Sequence, residues 1–219
     1  MFEKNKKIIA VSYFNSLFSS FLMKRDIAFL RCDLNETANL CGINKVLNIK
    51  EENIKSFTSS YNGNIPLAVD VPILSLLSKN EISIEKILNF ANETKADYLS
   101  IDLNYFDFDL IKKGSQIGLN FIAYSNNNNS VSCDFIKEKA IEFQAAGGKL
   151  LILENLPDDF IQMLHSTVKI PIISDKGKNC DGNYVRIDRM FGLTSEESEI
   201  NMKKLFLDTI DEKIFKIKK

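Results

Sequence analysis

Four acidic residues stand where short apolar runs end: Asp33 closes residues 27–33, Asp70 lies near the end of 66–71, Asp102 near the end of 98–103, and Glu154 closes 149–154. If those runs are parallel strands of one sheet, their C-terminal ends open on a common mouth, the face on which barrel enzymes build their chemistry. Carboxylates gathered there repel one another unless a cation or a proton intervenes. An oxygen-only ligand set suits a hard cation such as Mg2+ better than zinc. A carboxylate held off the metal is placed to take a proton from a substrate carbon. Acids make up 29 of the 219 residues, so spacing alone leaves incidental, solvated acids as an equal alternative and the reaction unnamed. Asp175 and Asp188 also follow apolar runs, and read as solvated or paired with Lys176 and Arg189.

Other chemistries find less support. His165 is the one histidine, and it lies in an amphipathic segment away from any strand end, which argues against a hydrolase triad built on it. Cys32, Cys41, Cys133 and Cys180 are widely spaced, without the close pairs of a zinc site, and read as reduced, mostly buried thiols. A formal net charge of −1 gives no electrostatic footprint for nucleic acid or an anionic membrane. No apolar run approaches the roughly 20 residues needed to cross a bilayer. The charged start, residues 1–7, leads into a short apolar run with no small-residue cleavage pattern, so a cytoplasmic location is expected.

The elements that must hold the acids alternate. Strand candidates are residues 8–14, 27–33, 66–71, 98–103, 120–124, 149–154, 170–174 and 183–187, nearly all continuously apolar, as strands buried on both faces should be. Helical spacing marks 83–94, 133–145 and 158–164, and Pro157-Asp158-Asp159 is a helix start. Residues 34–64 carry mixed signals, read as a loop plus one helix, and 177–182 is too short for a helix between the last two strands. Residues 126–129 form a polar loop, and 195–219 read as an amphipathic helix. Eight strands with helical crossovers predict an α/β fold, a closed (β/α)8 TIM-type barrel in one domain over 1–219, although about 250 residues is more typical.

Local strings then add a resemblance. Residues 170–194, with Ile170, Pro171, Ile173, Gly177, Asp181, Gly182, Phe191, Gly192 and Thr194, look like the late barrel segment of ketopantoate hydroxymethyltransferase. The string LILENLP around Glu154, preceded by Ala146 and Gly147, is similar to that family's L-E-x-[VL]-P. PLAVDVP with Asp70, LSIDLN with Asp102, FLRCD with Asp33 and the opening KKIIAVSYF follow in the family's order, so the resemblance spans nearly the whole chain. It implies a TIM-type barrel of the phosphoenolpyruvate/pyruvate kind, in a cytoplasmic homo-oligomer, a decamer in the family. It implies transfer of a hydroxymethyl group from 5,10-methylenetetrahydrofolate to 3-methyl-2-oxobutanoate, in pantothenate biosynthesis. Carried over by position, Asp33, Asp70 and Asp102 would ligate Mg2+, and Glu154 would be the general base. Asp33, Asp70 and positions 34 and 100 would face the substrate.

Departures from the family pattern fall at those same positions. Leu34 stands where the family has a serine, Ser100 where it has a lysine, and Tyr124 where it has a histidine. The glycine-rich turn after strand seven is reduced to Ser174-Asp175-Lys176-Gly177, and the loop after strand five is short. Two alternatives therefore stand beside the hydroxymethyltransferase: another Mg2+-dependent C–C lyase acting on a 2-oxo acid, and a barrel with lost activity that binds or assembles.

Overall fold

The computed structural model describes residues 2–190 apart from 14, 16–18, 20–21, 24, 41–42, 44, 46–47, 73–82, 106 and 127–130. Eight strands run in chain order: β1 Ile8–Ser12, β2 Phe29–Cys32, β3 Leu67–Asp70, β4 Tyr98–Asp102, β5 Phe121–Asn126, β6 Leu151–Glu154, β7 Ile172–Ser174 and β8 Gly182–Val185. Neighbours pair in parallel and close a barrel in that order. Each strand coincides with one predicted from its apolar run. The helices between them are α1 Leu34–Leu40, α2 Glu51–Ser59, α3 Ile84–Thr94, α4 Phe108–Gln116, α5 Cys133–Ala145 and α6 Asp158–Thr167, and α7 Ile187–Met190 follows β8.

Three of these helices depart from the sequence reading. Residues 34–64 hold two helices, α1 and α2, rather than one. Helix α4 has too few apolar residues to announce itself: it buries Leu110 and Ile111, is capped by Asp107 accepting from the Asp109 N–H at 2.8 Å, and lets Gly114 sit against Phe121. The connection 175–181 carries no helix, as its length requires. The polar loop expected at 126–129 lies outside the described residues beyond Asn126, which ends β5, and so does the C-terminal helix expected at 195–219. By its internal contacts the chain forms two compact units, Met1–Tyr184, which contains nearly all of the barrel, and Val185–Lys219. Among the described residues no helix is long and apolar enough to cross a membrane.

Inside the barrel, side chains point inward at every second strand position. Ala10, Phe29, Ala68, Ile122 and Ile152 form one apolar layer with Ile173 and Tyr184. Phe2 closes the floor beneath them, its ring 4.9 Å from Tyr98 and 5.2 Å from Phe29. Two residues further along the same five strands come Ser12, Arg31, Asp70, Tyr124 and Glu154. A polar layer thus sits directly on the apolar one, at the end of the barrel where the strands finish.

Closure depends on one small residue. A Cβ on Gly182 would lie 1.7 Å from the Ile8 carbonyl oxygen, a backbone atom that cannot swing aside. The neighbouring Asp181 carbonyl accepts from the Ile8 N–H at 2.8 Å, which joins β8 to β1.

Candidate active site

Arg31 is the centre of the polar layer, and its side chain is completely buried. Its Nε lies 2.8 Å from Asp70 Oδ1 and its Nη2 2.9 Å from Asp70 Oδ2, a two-pronged pair between adjacent strands. Its Nη1 lies 3.2 Å from Asp33 Oδ2 and 3.5 Å from Glu154 Oε1. The Tyr124 ring covers the guanidinium, its centroid 4.1 Å from Cζ, and the Tyr184 ring lies 5.2 Å away. Burial works against the guanidinium's charge, but Asp70 and Asp33 outweigh it, so Arg31 holds its proton even more firmly than a free arginine.

Each acid has further partners. Asp33 leaves β2 and caps α1: its Oδ1 accepts from the N–H groups of Asn35 at 2.8 Å and Glu36 at 3.1 Å. Its Oδ2 also accepts from the Tyr184 hydroxyl at 3.4 Å. Asp70 Oδ2 takes the backbone N–H of Leu34 at 3.1 Å. Burial raises the Asp70 carboxyl above its ordinary value, Arg31 pulls it back down, and Asp33 pushes it up again. Ser100 is the register partner of Asp70 on the neighbouring strand β4. Leu34 thus contributes its backbone N–H to Asp70, whereas its side chain offers no hydroxyl.

Asp102 stands apart. It ends β4 half-buried, and its Oδ1 accepts from the Asn104 N–H at 2.9 Å. Burial raises its carboxyl, that turn lowers it, and Arg31 acts on it only as a distant charge. Among the described residues, Arg31 pairs with Asp33, Asp70 and Glu154 and not with Asp102. The strand-end acids thus converge, but not as the set Asp33, Asp70, Asp102 around a metal ion. A magnesium ion needs bare oxygens at about 2.0–2.1 Å in a near-octahedral shell. Here guanidinium nitrogens occupy the space between the carboxylates. Among the described residues no three His, Cys, Asp or Glu side chains are grouped to hold a metal ion. The residues present do not fit Mg2+.

The sequence holds one signal for Arg31, though not for its direction or partners. A lone arginine within Phe29–Cys32, a strand otherwise apolar and buried on both faces, is costly unless carboxylates meet it inside. Glu36 was missed as well; it is buried on α1 and accepts from the Ser12 hydroxyl at 2.8 Å. His165 lies at the other end of the barrel, its Nε2 3.1 Å from Asp181. Asp181 also accepts from the N–H groups of Ile172, at 2.8 Å, and Asn5, at 2.5 Å, so the histidine belongs to a structural network. Cys32 is buried, and burial raises its thiol far above the ordinary range. Cys133 and Cys180 are half-buried, all three are free thiols, and Cys41 lies outside the described residues. Asp188 is paired with Arg186 at 2.6 Å, and its Oδ1 also accepts from the Arg189 backbone N–H at 2.7 Å.

No family model matches the chain. Among curated proteins, a 3-methyl-2-oxobutanoate hydroxymethyltransferase of Campylobacter jejuni subsp. jejuni serotype O:6 is 23% identical over 212 residues, 88% of this chain and 77% of the relative. The protein of that name from Wigglesworthia glossinidia brevipalpis is 22% identical over 214 residues, 89% of this chain and 80% of its own. Among solved structures, a phosphoenolpyruvate phosphomutase from Streptomyces platensis subsp. rosaceus superposes with a TM-score of 0.69 at 10% identity, covering 97% of this chain and 84% of the other. A 2,3-dimethylmalate lyase of the PEP mutase/isocitrate lyase superfamily gives 0.62 at 12% identity, with 83% and 73% covered. A phosphonopyruvate hydrolase solved with oxalate and Mg2+ gives 0.57 at 12%, with 78% and 67% covered. The chain thus resembles the 3-methyl-2-oxobutanoate hydroxymethyltransferases as a divergent relative, and shares the TIM-type barrel fold of those solved structures.

Proposed function

We propose that this protein carries out aldol-type chemistry on a 2-oxo acid: it transfers a one-carbon unit from 5,10-methylenetetrahydrofolate to 3-methyl-2-oxobutanoate and yields ketopantoate. The observation that carries the reading is Glu154. It ends β6 in the polar layer, 2% exposed, with Oε1 3.5 Å from a fixed cation. A carboxylate there takes the C3 proton of the 2-oxo acid, and the electron pair left behind attacks the methylene carbon of the folate. Water supplies the hydroxyl as tetrahydrofolate departs. The proton leaves a carbon beside a carbonyl, and a positive charge in a dry site favours the enolate that forms. The name of the sequence relatives, 3-methyl-2-oxobutanoate hydroxymethyltransferase, supports the 2-oxo acid and the group transferred. The same reading carries a cytoplasmic homo-oligomer serving pantothenate synthesis.

A second reading rests on Arg31. Its donors are engaged by the protein's own carboxylates, and the positions of the family's serine, lysine and histidine are Leu34, Ser100 and Tyr124. That pattern favours a barrel with altered or lost activity.

Deuterium exchange at C3 of 3-methyl-2-oxobutanoate separates the two without folate, measured by proton NMR in D2O. Wild-type exchange that falls in Glu154→Gln supports the transferase; exchange at the protein-free rate in both leaves the second reading.

A further inference from the structure

We propose that the Arg31 guanidinium is a built-in replacement for a divalent cation, so that this barrel mouth gathers its carboxylates without binding metal. The fold brings Asp33, Asp70 and Glu154, from the ends of β2, β3 and β6, to one end of the barrel, and three buried carboxylates need a positive charge among them. In this chain the charge comes from β2 itself. Arg31 is an inward residue of that strand, two positions before Asp33; its register partner on β3 is Ala68, and its side chain reaches Asp70 two residues further along.

Geometry supports a replacement rather than a neighbour. The planar fork matches the Asp70 carboxylate edge to edge, and the remaining nitrogen bridges Asp33 and Glu154. An octahedral ion in that space would have to displace the guanidinium. The Tyr124 and Tyr184 rings cover the cation and exclude the water molecules a magnesium ion retains. The negative charge left over is met by neutral donors, namely the Leu34, Asn35 and Glu36 N–H groups and the Tyr184 hydroxyl. Bound metal can dissociate; this cation cannot, because it is part of the chain.

This inference is independent of the catalytic reading, because neither of its readouts involves turnover. Free Mn2+, a stand-in for Mg2+, is counted by electron paramagnetic resonance in titrations of wild type, Arg31→Met and Asp70→Asn. Thermal melting is followed in EDTA and in excess Mg2+. Wild type is expected to leave the free-Mn2+ signal undiminished and to melt at one temperature in both buffers. Arg31→Met exposes the carboxylates to one another; it is expected to melt lower in EDTA, recover several degrees with Mg2+ and take up one Mn2+ per chain. One Mn2+ per wild-type chain, lost in Asp70→Asn, overturns the proposal. So does an Arg31→Met protein that neither binds Mn2+ nor responds to Mg2+. If Arg31→Met does not fold in either buffer, the wild-type count decides alone, uptake of Mn2+ against the proposal and none for it.

Discussion

Arg31 and Asp70 face each other from adjacent strands and share two hydrogen bonds, of 2.8 and 2.9 Å, with neither side chain exposed to solvent. The pair lies where the barrel changes from an apolar floor to a polar mouth. Asp33 and Glu154 both reach the remaining nitrogen, Nη1, of the same guanidinium, so the three acids of the polar layer meet on one cation.

Breaking the pair from the acid side leaves a buried cation short of its best partner. Asp70→Asn is expected to cost about 3–5 kcal/mol of folding stability, toward the lower figure because Asp33 and Glu154 remain. Denaturant unfolding of wild type and variant measures the difference.

The aromatic cover predicts a graded response at position 124. Tyr124→Phe keeps a ring over the guanidinium and should stay close to wild type. Tyr124→Leu removes it and should lose about 0.5–2 kcal/mol in cation–π attraction. Melting temperatures of the two variants side by side give the answer, and equal losses would assign the effect to the hydroxyl instead.

Burial raises the Asp102 carboxyl above its ordinary value of 3.8, so between that value and the raised one the folded chain binds more protons than the unfolded chain. The stability contributed by this group is complete below 3.8 and is lost as pH rises through the raised folded value. Asp102→Asn keeps an oxygen for the Asn104 N–H and removes the titration. Its unfolding free energy should fall less steeply than that of wild type as pH rises through that window, by guanidinium titrations at several pH values.

Gly182→Ala tests barrel closure. The added methyl meets the Ile8 backbone oxygen, so β8 or β1 has to move. Overpacking of this kind costs about 1–3 kcal/mol, and more where backbone is the obstacle. A variant that unfolds at the wild-type denaturant midpoint would show that the seam tolerates a wider spacing.

For the proposed chemistry, Glu154→Gln preserves shape and removes the base. C3 exchange in the 2-oxo acid should slow by about 10²–10⁴-fold. Circular dichroism on the same samples separates this loss from misfolding.

Much of the architecture lay open in the sequence because it depends on local patterns. Runs such as residues 150–153 are apolar at every position, as strands buried on both faces are, and eight such runs with helical spacing between imply a closed parallel sheet. Position along the strand was readable too: Asp33, Asp70, Asp102 and Glu154 end their runs, and the strands carry three of them, Asp33, Asp70 and Glu154, to one place. Helix α4 was not readable, since Leu110 and Ile111 with Gly114 give too short an apolar stripe. What lies among the acids was decided only by the tertiary structure. A strand buried on both faces does not reveal in its sequence which side faces the barrel axis, so Arg31 could be placed only once register and closure were fixed. Asp102 shows the converse: it ends its strand as the others do, but its carboxylate turns to the following backbone and stands outside the ion-pair cluster. Strand ends specify a neighbourhood, whereas side-chain direction and the nearest opposite charge specify the site.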